Sequence, residues 1–441
     1  MKKTFRKGGI HPPANKSASR TINILPLPMT AVVPLSQHIG APARPVVEKG
    51  THVQRGQLIA ENASFVSAGI HAPITGTVSA IDTALTPGGK PAMAITIKAT
   101  DEEHAADTLA RETYWRDILP GVSDRTLSER LGRDEIRSII SGAGIVGLGG
   151  ATFPAHVKLA TKPEQKPEVL ILNGCECEPY LMCDDALMAT YPGRIAEGVE
   201  LMMKAAGVER AVIAIEDNKP EAAAAIRSAL DPKHNISLLV LKTKYPQGGE
   251  KQLIEAVTGR RVASGALPIS VGAIVHNVAT AFAVWQAVAT GQPLIERVVT
   301  VTGDIPAGQR LNYMAAIGTP LSELPCTLPE RAKIVVGGPM MGRCAVSLDA
   351  PVTKGTSGIT VLAETPQRPV QACIRCGACV DACPMGLEPY LLSTYGRLRM
   401  FDEARMADVA DCLECGACSY SCPSARPLLD YIRVAKQRSR K

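Results

Sequence analysis

Aromatic side chains are scarce in this sequence. Phe, Tyr and Trp make up 4% of its 441 residues, too few for the stacked platforms of a nucleic-acid surface. No apolar run follows the N-terminal lysines, so no secretion signal is expected. Net charge is small, +6, and gathers at the ends. Lys2, Lys3, Arg6, Lys7, Lys16 and Arg20 precede any acidic residue, and Arg433, Lys436, Arg438, Arg440 and Lys441 close the chain. Such tails are expected to stay solvated, or to dock on an anionic membrane face or an acidic partner. No Ser-His-Asp or Cys-His constellation demands hydrolysis. Charge is absent between Arg261 and Glu296. The most apolar part of that stretch, 272–291, is long enough to cross a bilayer. It holds His276, Asn277, Thr280 and Gln286 and follows Pro268, so it reads as a buried helix and no membrane span is expected.

Cysteine, in contrast, is plentiful: thirteen without a secretion signal fit a reducing cytoplasm, where thiols bind metal. Eight of them form two copies of C-x-x-C-x-x-C-x-x-x-C-P: Cys373, Cys376, Cys379 and Cys383 before Pro384, then Cys412, Cys415, Cys418 and Cys422 before Pro423. This is the spacing of bacterial two-cluster ferredoxins, in which the fourth cysteine of each run serves the other cluster. Cys373, Cys376, Cys379 and Cys422 are therefore assigned to one [4Fe-4S] cluster, and Cys383, Cys412, Cys415 and Cys418 to its partner. Paired zinc sites are the alternative; the third cysteine and the closing Cys-Pro argue against them. The tail moves single electrons in this reading.

A chain of this length with 46% apolar residues is expected to fold as several packed domains. Residues 25–99 alternate short Val/Ile strands with Gly and Pro turns, and the segments 46–60 and 70–81 face each other. They resemble the barrel-sandwich of biotinyl and lipoyl carriers. The hairpin between the halves, 61–69, lacks the carrier lysine, so the module reads as a docking or scaffolding piece. Residues 101–120 are charged and helix-prone, and another helix is expected over 128–141. Gly142, Gly144 and Gly147 satisfy G-x-G-x-x-G, but the preceding residues read as helix rather than the strand a dinucleotide fold requires. The loop is either a phosphate cradle opening the helix at 154–161, which carries Lys158, or a tight helix–helix turn. Three strand-then-helix units follow, with strands at 169–173, 211–216 and 238–242. They argue a Rossmann-like α/β sheet with its ligand at the carboxyl ends of the strands. Strands return at 297–303 and 332–336, and Pro366 and Pro369 mark a linker to the cysteine-rich tail.

The order of these parts resembles the RnfC family, the C components of Rnf-type electron transport complexes, over essentially the whole chain. The likeness rests on GGIHPP (8–13), VPLSQHIGAP (33–42), HAPITGTV (71–78), GLGGATFPAHVKL (147–159), NGCECEPY (173–180), YPQGGEKQ (245–252), GGPMMG (337–342) and the two cysteine runs. The middle also resembles the flavin- and NADH-binding subunit of respiratory complex I. The resemblance implies a multidomain α/β and β chain: a barrel-sandwich domain (1–100), a linker (101–124), an α/β domain for non-covalent FMN and NAD(H) (125–295), a β-grasp, SLBB-like domain (296–365) and an α-helical two-cluster ferredoxin-like domain (366–441). It also implies site residues. Gly147, Gly149, Gly150 and Lys158 would face the FMN phosphate or its approach. Phe153 would border the nicotinamide or adenine pocket, and Asn173 and Glu176 would line the flavin. Glu178, with Gly248, Gly249 and Glu250, would lie toward the nucleotide, and Asn277 would close the site. Where the complex I pattern has an aspartate and a glycine, this chain has Cys175 and Tyr180. Cys175, Cys177 and Cys183 are expected to be buried structural thiols rather than a redox pair.

The implied function is that of a peripheral subunit on the cytoplasmic face of the bacterial inner membrane. It would work in an ion-translocating oxidoreductase that exchanges electrons between NAD(H) and ferredoxin and moves Na+ or H+. Its partners would be the other subunits of that complex, an iron–sulfur subunit especially. A soluble NADH-dependent cobalamin reductase and an electron relay with a vestigial nucleotide site are the alternatives.

Overall fold

A computed structural model describes residues 2–121, 126–161, 164–364 and 368–439. The expected linker position Pro366, the start of the α/β domain at 125, and the terminal Arg440 and Lys441 lie outside the described residues. At the centre is a four-stranded parallel sheet of Val169–Gly174, Ala211–Glu216, Ile236–Leu241 and Ala273–Asn277, in which the first strand lies between the second and the fourth. Each strand is an apolar run because both faces are covered. Leu170 and Leu172 face the core built with helices Pro192–Ala206 and Val278–Thr290, while Val169 and Ile171 face helix Glu250–Thr258.

The fourth strand corrects the expectation of one buried helix over 272–291. Ala273–Asn277 pairs with Val169–Asn173 before the helix starts at Val278, and the Asn277 side chain makes the switch by accepting from the Ala279 amide at 2.8 Å. Among the described residues no helix is long and apolar enough to cross a membrane. The helix expected over 128–141 is two, Leu127–Arg130 and Arg133–Gly142, separated by an extended Gly132. Helix Asp101–Thr113 starts at a Thr100/Glu103 capping box.

The β module closes two small sheets around Val33, Val53, Ile59, Ile70, Val78, Ile95 and Ile97. Its hairpin, 61–69, is fixed in place rather than free to swing. Asn62 Nδ2 donates to Ser141 Oγ at 3.1 Å, and the fully buried Lys354 donates to Gly69 O and Gly144 O, both at 2.7 Å. A six-stranded mixed sheet follows, ordered Ile22–Ile24, Leu311–Ala316, Glu296–Gly303, Gly358–Ala363, Ala332–Val336, Arg343–Cys344. Its outer strand, Ile22–Ile24, comes from the N-terminal region, so the residues ahead of 25 leave the barrel-like module. In the tail the second copy repeats the first element for element. Helices Ala378–Asp381 and Pro389–Leu398 correspond to Ala417–Tyr420 and Leu428–Arg438, and the two longer ones pack where Gly396 meets the Tyr431 backbone.

The basic ends are not simply solvated. Lys2 pairs with Asp217 at 2.9 Å, Lys7 lies against Gly386, and Lys16 is buried. Lys436 donates to Cys412 O at 2.5 Å, and Arg433 pairs with Glu414 at 3.2 Å.

Candidate functional site

The strand order reverses between Val169–Gly174 and Ala273–Asn277, which opens a crevice at their carboxyl ends, where α/β sheets take ligands. Asn173 and Asn277 are register partners there. Asn277 Nδ2 donates to Asn173 O at 3.3 Å and to Asp184 Oδ2 at 2.7 Å. The glycine loop lies against the start of the helix that Asn277 caps. Leu148 N donates to Thr280 Oγ1 at 2.9 Å, and Gly149 packs on the Asn277 side chain. Gly150 has φ +108°, and a Cβ there would meet nothing within 4 Å. Its backbone is thus bare toward the open side, the fit an anionic cofactor needs. The helix after the loop is only Ala155–Leu159, so its dipole is weaker than the cradle reading supposed.

The other expected residues fall into two groups. Asn173, Gly147, Gly149, Gly150, Gly248 and Asn277 gather at the crevice: Asn173 Nδ2 donates to Gly248 O at 2.9 Å, and Gly147 N donates to Phe153 O at 2.9 Å, with Phe153 half-buried. Lys158 and Glu250 pair with each other, so the positive charge expected to face a phosphate is already partnered by a carboxylate. Gly249 caps the helix that Glu250 begins. Glu176 points inward, accepting from the Asp184 amide at 2.8 Å and the Asp185 amide at 3.3 Å. Glu178 is taken up by the 338–342 turn. It accepts from the Met340 and Met341 amides at 3.2 and 2.7 Å, and burial pushes its carboxyl up to about 7. Asp184 is likewise pushed up to about 7, by burial and then by Glu176 beside it.

Cys175, Cys177 and Cys183 are free thiols whose pKa burial raises; Cys175 and Cys183 are buried, as expected, while Cys177 is half-buried. Three more residues matter here: Lys16 stood out in the sequence only as one of the N-terminal basic residues, and Lys219 and Arg297 did not stand out at all. Lys16 donates to Glu176 O, Glu178 O and Leu181 O at 2.9, 3.1 and 2.5 Å. Lys219, fully buried, donates to Cys175 O at 2.5 Å. Arg297 reaches Lys354 O and Leu148 O from the mixed sheet. All three contacts join segments far apart in sequence, and no local signal marks them.

Four of the eight tail cysteines gather around one cavity, and two of the others adjoin each other. Cys383, Cys412, Cys415 and Cys418 line one cavity with Pro384, Leu387, Leu392, Leu413, Leu429 and Ile432. Cys379 and Cys422 are neighbours, and Arg426 reaches Cys373. A tetrahedral zinc site, with Zn–S near 2.3 Å, would hold its sulfurs about 3.8 Å apart. Among the described residues the one metal-sized grouping within 4.8 Å is Glu176, Cys183 and Asp184, with none of the eight tail cysteines in it. Among the described residues no three of the eight lie as close together as one zinc ion would hold them. Burial pushes Cys415 and Cys418 up to about 12, so a polycationic centre is what would hold them as thiolates. The Glu414 amide donates to Cys412 Sγ and the Leu387 amide to Cys383 Sγ, both at 3.4 Å.

The cavity side of the tail abuts the crevice domain. Tyr245, at the turn after Ile236–Leu241, donates its hydroxyl to Cys415 O at 2.7 Å, and Gln252 Nε2 donates to Pro384 O at 3.3 Å.

Comparison with known proteins agrees with this arrangement. Residues 3–103 match the RnfC barrel sandwich hybrid domain, 140–286 the Nuo51 FMN-binding domain and 372–425 the 4Fe-4S dicluster domain. The crystal structure of an NAD+-reducing [NiFe]-hydrogenase in the air-oxidized state superposes with TM-score 0.52 at 18% identity, over 73% of this chain and 69% of that one, a likeness of fold. The C component of a proton-translocating ferredoxin:NAD(+) oxidoreductase complex from Clostridium ljungdahlii is 42% identical, over 92% of this chain and 87% of its own length. The C component of a Na(+)-translocating ferredoxin:NAD(+) oxidoreductase complex from Acetobacterium woodii is 42% identical, over 98% and 96%. That of an ion-translocating oxidoreductase complex from Rhodobacter capsulatus is 42% identical over 88% and 74%. With an FMN-binding domain, a 4Fe-4S dicluster domain and relatives this similar along nearly its whole length, the chain belongs to the RnfC family, the C components of ion-translocating ferredoxin:NAD(+) oxidoreductase complexes.

Proposed function

We propose that this chain is the peripheral subunit, at the cytoplasmic face of the bacterial inner membrane, through which a membrane complex exchanges electrons between NAD(H) and ferredoxin while translocating Na+ or H+. The names of its relatives support that reading. The observation that carries it is the Tyr245 contact, which joins the switch-point domain to the buried cysteine group without an intervening linker. A flavin exchanges electrons in pairs with nicotinamide and singly with iron–sulfur centres, which is why one chain would carry both kinds of site.

The chain's own residues then have stated parts. Gly147, Gly149 and Gly150 offer backbone to the flavin phosphate. Asn173, Glu176 and Asn277 form the floor, with Asp184 buried beneath it. Phe153 borders the nucleotide side, and the Lys158–Glu250 pair, with Gly248 and Gly249, frames the mouth. Glu178 acts through the turn at Met340 and Met341 rather than on the nucleotide. Cys373, Cys376, Cys379 and Cys422 hold one cluster; Cys383, Cys412, Cys415 and Cys418 hold the other. The tail is read as a ferredoxin-like domain, a reading its paired helices support. The sheet over 296–363 is read as the β-grasp, SLBB-like module, supported by its first and last strands lying parallel at the centre. The domain limits 1–100, 125–295, 296–365 and 366–441 serve this reading, with residues 2–24 shared among the domains.

Anaerobic reconstitution with iron, sulfide and FMN tests the proposal. About eight irons and one flavin per chain are expected, with flavin absorbance bleached by NADH. Iron without flavin would favour the relay reading. Full cofactor loading with no membrane subunits retained in a pull-down would favour the soluble reductase.

A further inference from the structure

The N-terminal segment 2–16 touches both proposed redox sites. It starts along the α/β sheet, where Lys242 N donates to Lys3 O at 3.0 Å. Phe5 is buried, with the Lys244 ammonium 4.1 Å from its ring centre. Gly9 N donates to Ala382 O at 3.0 Å, beside the crossing ligand Cys383. Gly8 has φ +65°, and any Cβ there would overlap the Cys383 carbonyl and the Pro384 nitrogen. Ile10 and Tyr245 exchange a pair of backbone hydrogen bonds, each 2.9 Å, and the same Tyr245 holds Cys415 O. The segment ends under the flavin side. Ala14 O accepts from Tyr180 N at 2.8 Å, and the Lys16 ammonium satisfies three carbonyls of the 176–181 loop, 3.8 Å from Glu176 Oε2.

We propose that this strap is a positioning element for electron transfer. Its Gly8–Gly9 end seats the turn that carries Cys383, its Lys16 end seats the loop at the floor of the flavin crevice, and the chain between them fixes the separation of the two. The seven residues from Ile10 to Lys16 can span at most about 25 Å, and Tyr245 pins them at Ile10. The inference rests on the cofactor reading above. Glycine at position 8 suits its φ of +65°, and contact with the cluster turn leaves no room for any Cβ there. Lys16 likewise has no solvent-exposed role, since burial lowers its pKa and its donors are spent on one loop.

The test uses the full-length reconstituted chain with three variants. Gly8→Ala should change the EPR signature of one cluster while leaving the other as in wild type. It should also slow NADH-driven cluster reduction about ten-fold, the usual scale for a residue that orients a metal's ligand. Lys16→Met should weaken flavin retention about ten-fold with both cluster signals unchanged. Gly50→Ala is the control, because Gly50 also has positive φ (+92°) but nothing within 4 Å of its Cβ; it should alter neither. Hydrogen exchange in the cofactor-free chain separates this inference from the functional one: Gly8→Ala should speed exchange over 383–387, and Lys16→Met over 176–181. Wild-type exchange in both variants, or the same broad change in all three, overturns the strap. Wild-type protein that binds neither flavin nor iron overturns the functional reading instead.

Discussion

The two cysteine groups share one motif and differ in what surrounds them. Cys373 and Cys376 are exposed, with Val370 and Ile374 open to solvent around them at 64% and 66%. Cys383, Cys415 and Cys418 are buried against leucines and against the domain that carries the crevice. The repeat sets which sulfurs can share a core; tertiary packing decides which core faces inward and which outward. Cluster potentials follow solvent exposure and hydrogen bonding to sulfur, so two copies of one sequence should become two different electron sites. On the proposed function, the buried group would exchange with the crevice and the exposed group with a partner.

The strongest way to break this contrast is to remove one ligand from each group. Cys415→Ser should lower iron from about eight to about four per chain and abolish NADH-driven reduction of the exposed cluster. Cys376→Ser should lose the same iron, yet keep NADH-driven reduction of the remaining cluster, read by EPR. Equal losses in both variants would erase the distinction.

A smaller effect tests the docked side by pH. The Glu178 carboxyl holds its proton to about pH 7 in the folded chain, against 4.5 ordinarily, because burial disfavours the charge. Between those values the folded state binds more protons than the unfolded one, so stability falls as pH rises from 4.5 to 7 and levels above. The decline is about 3 kcal/mol, and Glu178→Gln should flatten it in urea unfolding. A variant with the wild-type slope would remove Glu178 from the account.

The smallest effect sharpens the contact itself. Tyr245→Phe leaves Cys415 O without its 2.7 Å donor and should cost about 1 kcal/mol of stability. It should shift the midpoint potential of one cluster only. A shift in both, or in neither, would mean that this hydroxyl does not tune the buried site.

Much of this was legible in the sequence where the signal is local. The cysteine spacing picked out the four thiols that line one cavity, apolar runs gave three of four central strands, and the glycine loop was found after a helix, as read. The fourth strand was missed because Ala273–Asn277 is as apolar as the helix that continues it, and only pairing with Val169–Asn173 tells them apart. Lys158 and Glu250 were identified separately but not as a pair, since nothing within either segment shows the other. The basic residues of the N-terminal arm looked like a solvated tail because their partners, Asp217 and the carbonyls around Glu176, are some two hundred residues away.

The central claim is that the buried cysteine group stands between the crevice and the exposed group. Rapid-freeze EPR of reconstituted Cys415→Ser after mixing with NADH tests it most directly. The account predicts that the surviving exposed cluster stays oxidised while wild-type protein shows both clusters reduced; reduction of that cluster at the wild-type rate would contradict it.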